Sequence, residues 1–216
     1  MTGSAAVTEI VAVIPVKGLA KAKSRLSDRL TPAERAQLVL HLLDRVLAAV
    51  FASALVQRCL VVSPDPLVRT SAEAAGAVAV DEATPGAGQN AALEHARRVA
   101  RRWNPTALLV LSGDLPLLTP QDLEMICRLG AEDGTVVVAP DRPRTGTNAL
   151  HLRPPDLLPF RFGAGSFRQH VREARDCAAR IRAYYGSGTA FDLDVPEDLD
   201  LIQRIDPTFK RTDPHR

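Results

Sequence analysis

The sequence predicts an α/β protein built on one mostly parallel sheet flanked by helices, and three observations carry that reading. Short continuous apolar runs rich in Val, Leu and Ile recur along the chain. Each is followed by a helix-like amphipathic stretch. A length of 216 residues suits a single domain with one good core. A run apolar at every position fits a strand covered on both faces, and strands alternating with helices imply βαβ units. Ligands on such a sheet belong at the carboxyl ends of its strands.

The first run, Ile10 to Val16, is β-branched and apolar throughout and ends in a cationic loop. Thr31-Pro32-Ala33-Glu34 supplies an N-cap, a proline at the first helical position and a glutamate reaching back. Leu38, Leu42, Val46 and Val50 mark the buried face of the helix that follows. Cys59 to Ser63 is the second strand, leading through Pro64 into a helix that stops near Gly76. A short strand, Ala77 to Val80, precedes the loop Glu82 to Gln89 and an alanine-rich helix to about Arg102. The strand Ala107 to Leu111 ends at Ser112-Gly113-Asp114-Leu115-Pro116. Thr119-Pro120 starts a further helix to about Gly130, before a strand from Thr135 to Ala139.

Beyond Pro140 the pattern is less regular. It contains a loop to Gly146, a strand Asn148 to Leu152, a polar loop to Gly165 and a helix from Ser166. Asp192-Leu193-Asp194 leads into a last helix, with Asp194 in the capping position before Pro196. The domain is expected over residues 1–206, with a disordered tail over 207–216.

Composition narrows the function classes. Lys+Arg 27 against Asp+Glu 25 leaves a net charge of only +2, and the basic residues are scattered, which argues against a nucleic-acid partner. No apolar run reaches membrane-spanning length, and Met1 to Glu9 has no basic segment leading into an apolar one. A cytoplasmic protein with no membrane partner is expected; a homo-oligomer is compatible with the sequence. Cys59, Cys127 and Cys177 are widely separated within apolar patterns, and are expected to be buried small hydrophobes rather than zinc ligands.

Several residues could carry chemistry. Lys17, Lys21, Lys23 and Arg25 crowd the loop after the first strand, where they could hold phosphates or merely face solvent. Asp114, between Gly113 and Leu115-Pro116 at a strand end, suits magnesium, a hard cation that takes oxygen donors. Thr119 already caps the next helix, so Asp114 is not needed there. Asp192 and Asp194 alternate along an extended segment and would face opposite ways in a regular strand, so only a bend lets both serve one cation. Asp192 is paired with Asp114 as a metal ligand, with Asp194 added.

Thr145 to Asn148 and Phe162 to Ser166 offer small residues, hydroxyls and backbone amides suited to phosphate or carboxylate, and equally to ordinary turns. His170 lies one helical turn past Ser166 and could touch the same anion or simply pack. Gly86 to Ala92 places two glycines before a helix, where backbone groups could read a base edge. Neither a P-loop nor the dinucleotide glycine fingerprint is present.

In their joint order these segments resemble the guanylyltransferases of coenzyme F-420 biosynthesis, a family that includes 2-phospho-L-lactate and phosphoenolpyruvate guanylyltransferases. The resemblance rests on Ile14-Pro15-Val16-Lys17, Ala22-Lys23-Ser24-Arg25-Leu26, Gly113-Asp114-Leu115-Pro116-Leu117 and Gly146-Thr147. It continues through Arg161-Phe162-Gly163 with Ser166 and His170, and ends in Asp192-Leu193-Asp194-Val195-Pro196-Glu197. It implies a nucleotide-diphospho-sugar transferase type of fold, GT-A-like and Rossmann-like, with GTP as donor, a small phosphorylated acid as acceptor and Mg²⁺ as cofactor. Asp114, Asp192 and Asp194 then look like the metal-binding aspartates, and Lys17, Lys23 and Arg25 like the groups facing the GTP phosphates. Thr147, Gly163 and Ser166 look like acceptor-binding groups, with His170 beside them. Gly88, Asn90 and Ala91 stand where related enzymes hold the purine, with Gln89 in place of an expected leucine.

Two rival readings remain at this level. Molybdopterin or sugar-phosphate nucleotidyltransferases of the same fold usually carry a glycine-rich loop after the first strand, where this chain has Pro15-Val16-Lys17-Gly18. A non-catalytic nucleotide-binding protein would have less reason to carry Asp114, Asp192 and Lys23 together.

Overall fold

The computed structural model describes residues 9–84 and 86–209. Seven strands form one sheet: β1 (Ile10–Pro15), β2 (Arg58–Val62), β3 (Val78–Val80), β4 (Ala107–Leu111), β5 (Thr135–Pro140), β6 (Thr147–Arg153) and β7 (Arg180–Ala183). Their order is β3-β2-β1-β4-β6-β5-β7. All neighbours run parallel except β6, which is antiparallel to both β4 and β5. The order reverses direction at β1, which lies between β2 and β4, and that reversal opens a crevice beyond the carboxyl ends of β1 and β4.

β1 shows why the strands read as continuous apolar runs. Successive side chains point to opposite faces. Ile10, Ala12 and Ile14 enter the core under α1 (Pro32–Ala52), α2 (Pro66–Ala74) and α4 (Pro120–Leu129). Val11 and Val13 enter a second core under α3 (Gln89–Ala100) and α5 (Ser166–Asp176). Both faces are buried from Ile10 to Ile14, so a polar residue is disfavoured at each of those positions. A third cluster joins Leu26, Leu30, Leu38 and Leu42 to Leu193, Leu199 and Ile202, seating α7 (Pro196–Ile205) against the start of α1.

The helix starts follow local chemistry. Thr31 Oγ1 accepts from the Glu34 N–H at 3.3 Å while Glu34 reaches back to the Thr31 N–H at 2.7 Å, and Thr119 and Asp122 repeat the device on α4. α2 is capped by Asp65, whose other carboxylate oxygen accepts from the Leu19 N–H at 2.9 Å. One aspartate thereby fixes both a helix end and the cationic loop after β1.

Four features differ from the sequence-based expectation. The cap of α7 is not Asp194: the Asp198 carboxylate accepts from the backbone N–H of Asp194 and of Val195, each at 2.9 Å. Strand β7 and the four-residue helix α6 (Ser187–Ala190) were not anticipated. Cys59 and Cys127 are buried as expected, but Cys177 follows the last residue of α5 and is exposed. Phe209, within the segment read as a disordered tail, is buried against the His41 ring with Arg45 over its face, so the folded part extends beyond residue 206. Residues 210–216 lie outside the described part, as does most of the stretch 1–9 read for a leader. Among the described residues no helix is long and apolar enough to cross a membrane.

Candidate active site

A cavity of about 770 Å³ occupies the crevice at the β1/β4 reversal, within the roughly 300–1,000 Å³ usual for small-molecule sites. The loop after β1 lines one wall with Lys17, Lys21, Lys23 and Arg25. Gly113 and Asp114 form the floor, and Gly88 and Gln89 at the start of α3 form the opposite rim. Gly113 packs closely against the end of β1: a Cβ there would stand 3.2 Å from a Val16 methyl and 3.4 Å from one of Ile14.

The centre of the site is a buried cation between carboxylates. Lys23 takes up a left-handed backbone conformation, φ 48°, uncommon for a residue with a side chain. That turn drives its chain inward until only 7% is exposed, and its ammonium bonds Asp114 Oδ2 and, at 2.8 Å, Asp194 Oδ1. Burial by itself lowers the affinity of Lys23 for its proton, but the two carboxylates outweigh it and hold the ammonium above its ordinary range. Burial likewise pushes the Asp114 carboxyl up, and the Lys23 charge and the Ser112 hydroxyl, donating at 2.7 Å, bring it below the usual value. Arg25 stands outside this pair, largely exposed, 3.9 Å from Asp194.

The Asp192–Asp194 segment is not a strand, so the alternation that would send its carboxylates to opposite faces does not apply. The Leu193 N–H donates to the Asp114 carbonyl at 3.2 Å, docking the segment with one aspartate on each side of that bond. Asp194, released from capping by Asp198, turns to Lys23 and the cavity. Asp192 does not line the cavity; it accepts from the Asn148 amide at 3.2 Å. Burial, and then the nearby Asp114 charge, raise its carboxyl above the ordinary range. Among the described residues no three His, Cys, Asp or Glu side chains form a ready-made metal cage. Asp114 and Asp194 are oxygen donors of the kind magnesium takes and line the cavity, with Lys23 bonded to both.

The residues expected to hold an acceptor form a neutral network beside this cluster. The Ser112 N–H donates to the Asn148 carbonyl at 2.8 Å, which sets the start of β6 against the end of β4. Next to Asn148, Thr147 is buried and meets His170 Nδ1 at 3.0 Å. The backbone N–H of Arg161 donates to His170 Nε2 at 3.0 Å. Nε2 must therefore be the bare nitrogen and Nδ1 the protonated one, donating to Thr147 Oγ1. His170 is fully buried with both nitrogens spent, so it holds the 160s loop rather than offering a nitrogen to a ligand. Burial lowers its pKa to about 4, keeping it neutral. Gly163, at φ +127° in a conformation that favours glycine, and Ser166 at the start of α5 complete this loop.

Asn90 also departs from its expected role. Its amide points to Phe162, not into the cavity, and both its ends are engaged there. Of Gly88, Asn90 and Ala91, Gly88 lines the cavity and the other two do not, while Gly86, Gln89 and Ala92 also reach it. Ser112, Asp65 and Glu82 were missed in the sequence: the first two orient the charged cluster and its loop, and Glu82 lines the cavity.

Residues 10–205 match the family described as "Guanylyl transferase CofC like". The chain belongs to that family. Among CofC-like relatives, a phosphoenolpyruvate guanylyltransferase from Rubrobacter xylanophilus is 47% identical over 90% of this chain and 93% of its own. Another, from Sphaerobacter thermophilus, is 44% identical over 94% and 97%. Solved structures agree on the fold. A putative nucleotide-diphospho-sugar transferase from Desulfovibrio desulfuricans superposes with a TM-score of 0.75 at 16% identity, covering 94% of this chain and 90% of the other. A nucleotidyl transferase from Methanothermobacter does so with 0.67 at 17% identity, covering 91% and 97%. The CofC-like chain is thus an α/β enzyme of the nucleotidyltransferase type.

Proposed function

We propose that this chain transfers GMP from GTP to the phosphate of phosphoenolpyruvate, yielding enolpyruvyl-diphospho-guanosine and pyrophosphate, in the cytoplasm and in the service of coenzyme F-420 synthesis. The kinship with phosphoenolpyruvate guanylyltransferases supports the substrate pair. The single geometric observation behind the chemistry is the Lys23 ammonium held between Asp114 and Asp194 at the floor of a lysine-lined cavity.

The reaction needs charge control more than proton transfer. An oxygen of the acceptor's phosphate, already ionised at neutral pH, forms a bond to the α-phosphorus of GTP as the bond from that phosphorus to the bridging oxygen breaks. The electron pair leaves on pyrophosphate. Two polyanions must approach, so Lys17, Lys21, Lys23 and Arg25 serve by neutralising and aligning them. Asp114 and Asp194, with Asp192 behind them, are the groups that would hold Mg²⁺, which when bound neutralises phosphate charge and orients the α-phosphate. Thr147, Gly163 and Ser166 bind the acceptor acid, and the rim at Gly88 receives the base.

Pyrophosphate release is the test. With GTP and Mg²⁺ it should appear with phosphoenolpyruvate and be stopped by EDTA. Faster release with 2-phospho-L-lactate or 3-phospho-D-glycerate would move the assignment to that acid, and silence with all three would end it.

A further inference from the structure

Asn90 makes a two-point clamp between the start of α3 and the loop before α5. It is the second residue of α3, directly after Gly88 and Gln89, which line the nucleotide cavity. Its Oδ1 accepts from the Phe162 N–H at 2.8 Å, and its Nδ2 donates to the Phe162 carbonyl at 3.0 Å. One side chain thus satisfies both backbone groups of a residue 72 positions away, as a neighbouring strand would. The residues flanking Phe162 are Arg161, bound by His170, and Gly163, whose carbonyl accepts from the Ser166 N–H at 3.1 Å. The Phe162 ring stands edge-on to the His170 ring at 4.8 Å. The acceptor-side loop therefore has two supports, one from α5 through His170 and one from the rim of the nucleotide cavity through Asn90.

We propose that Asn90 is a positioning residue that couples the nucleotide-binding rim to the acceptor-binding loop, and not a reader of the base. This rests on the guanylyl transfer assigned above. The amide is turned to Phe162 and does not line the cavity, so it presents no edge to a purine bound there. Any shift of the first turn of α3 on nucleotide binding is passed directly to Phe162 and so to Gly163. Only Asn combines this side-chain length with a paired donor and acceptor. Asp keeps the bond from the Phe162 N–H but sets a negative oxygen against its carbonyl, and Leu loses both bonds.

The test is steady-state kinetics of full-length Asn90→Asp and Asn90→Leu, with hydrogen exchange over residues 160–166 as a second readout. The clamp predicts that KM for the acceptor rises, or kcat falls, on the order of ten- to a hundredfold in Asn90→Asp, the scale of a slightly misplaced reactant. KM for GTP and the preference for GTP over ATP stay at the wild-type level, and exchange at 161–163 speeds up. A fall in the GTP preference would make Asn90 a base reader and overturn the proposal. Unchanged constants, or a lower melting temperature with kcat and both KM values intact, would also overturn it by leaving Asn90 a purely structural role. Should Asn90→Leu fail to fold, Asn90→Asp carries the test alone. A wild-type protein silent with every acid would sink the guanylyl transfer instead, and the exchange measurement would still report on the clamp.

Discussion

The charged wall of the crevice and the neutral wall behind it, whose residues do not line the cavity, are built by opposite means. On the β1/β4 side, Lys23, Asp114 and Asp194 hold one another by charge; on the β6/α5 side, Thr147, His170, Arg161, Phe162 and Asn90 are joined by neutral hydrogen bonds. The charged wall is mutually dependent, since each member alone would be a poorly solvated ion. The neutral wall is made of independent pins, each closing one donor with one acceptor. A triphosphate needs the first kind of surface, which can exchange one charged partner for another. A small acid needs the second, a shape that does not rearrange.

If that contrast is right, charge removal should damage turnover most. Asp114→Asn keeps the shape of the side chain but removes its charge, and should lower kcat by on the order of a hundred- to a thousandfold. Its melting temperature should stay close to wild type, and normal pyrophosphate release would break the contrast at once. Lys23→Met comes next. It leaves Asp114 and Asp194 facing each other without their shared cation, and should cost about 1–2 kcal/mol of stability as well as activity. Solvent reaches both carboxylates, which are 23% and 43% exposed, and limits the cost. Urea unfolding of the variant checks it, and an unchanged midpoint would show that the ions are solvated separately.

On the neutral wall the expected effect on turnover is smaller and confined to one substrate. Thr147→Val leaves the His170 Nδ1–H without its acceptor, at about 1–3 kcal/mol. KM for the acceptor should rise while KM for GTP holds, and a matching rise in both would merge the walls into one unit.

Much of this division was legible in the sequence. The strands and the Thr31 and Thr119 caps follow from runs and spacings, whereas Lys23, Asp114 and Asp194 are candidates in the sequence without the pairing seen, Lys23 being set toward phosphates and Asp114 with Asp192 toward a metal. What escaped was set by contacts between distant segments. Asp194 occupies a capping position, yet Asp198 serves both backbone groups from inside the helix, and local sequence cannot say which aspartate wins. β7 is only Arg-Ile-Arg-Ala at a sheet edge, too short and too polar to display a period. His170 and Asn90 look alike as ligand or support until their partners, Thr147 and Phe162, are seen.

Acidification separates the walls by titration. His151 and His170 have pKa values lowered by burial to about 4, against roughly 6.5 when unfolded. The unfolded chain therefore takes up protons first. Their stabilisation is complete above about pH 6.5 and is lost as pH falls toward 4, at most on the order of 3 kcal/mol for each. Asp114, held below the ordinary carboxylate range, keeps its charge through that window. His151, on β6 with Thr147, has no hydrogen-bond partner for either ring nitrogen among the described residues. His151→Leu should accordingly flatten the acid limb of a stability–pH curve, and an unaltered limb would assign it to other groups.

The most direct test of guanylyl transfer is the ³¹P NMR spectrum of the wild-type protein with GTP, Mg²⁺ and phosphoenolpyruvate. A new unsymmetrical diphosphate, seen as two coupled doublets growing in step with pyrophosphate, is the predicted result. GDP and inorganic phosphate with no new diphosphate would contradict it.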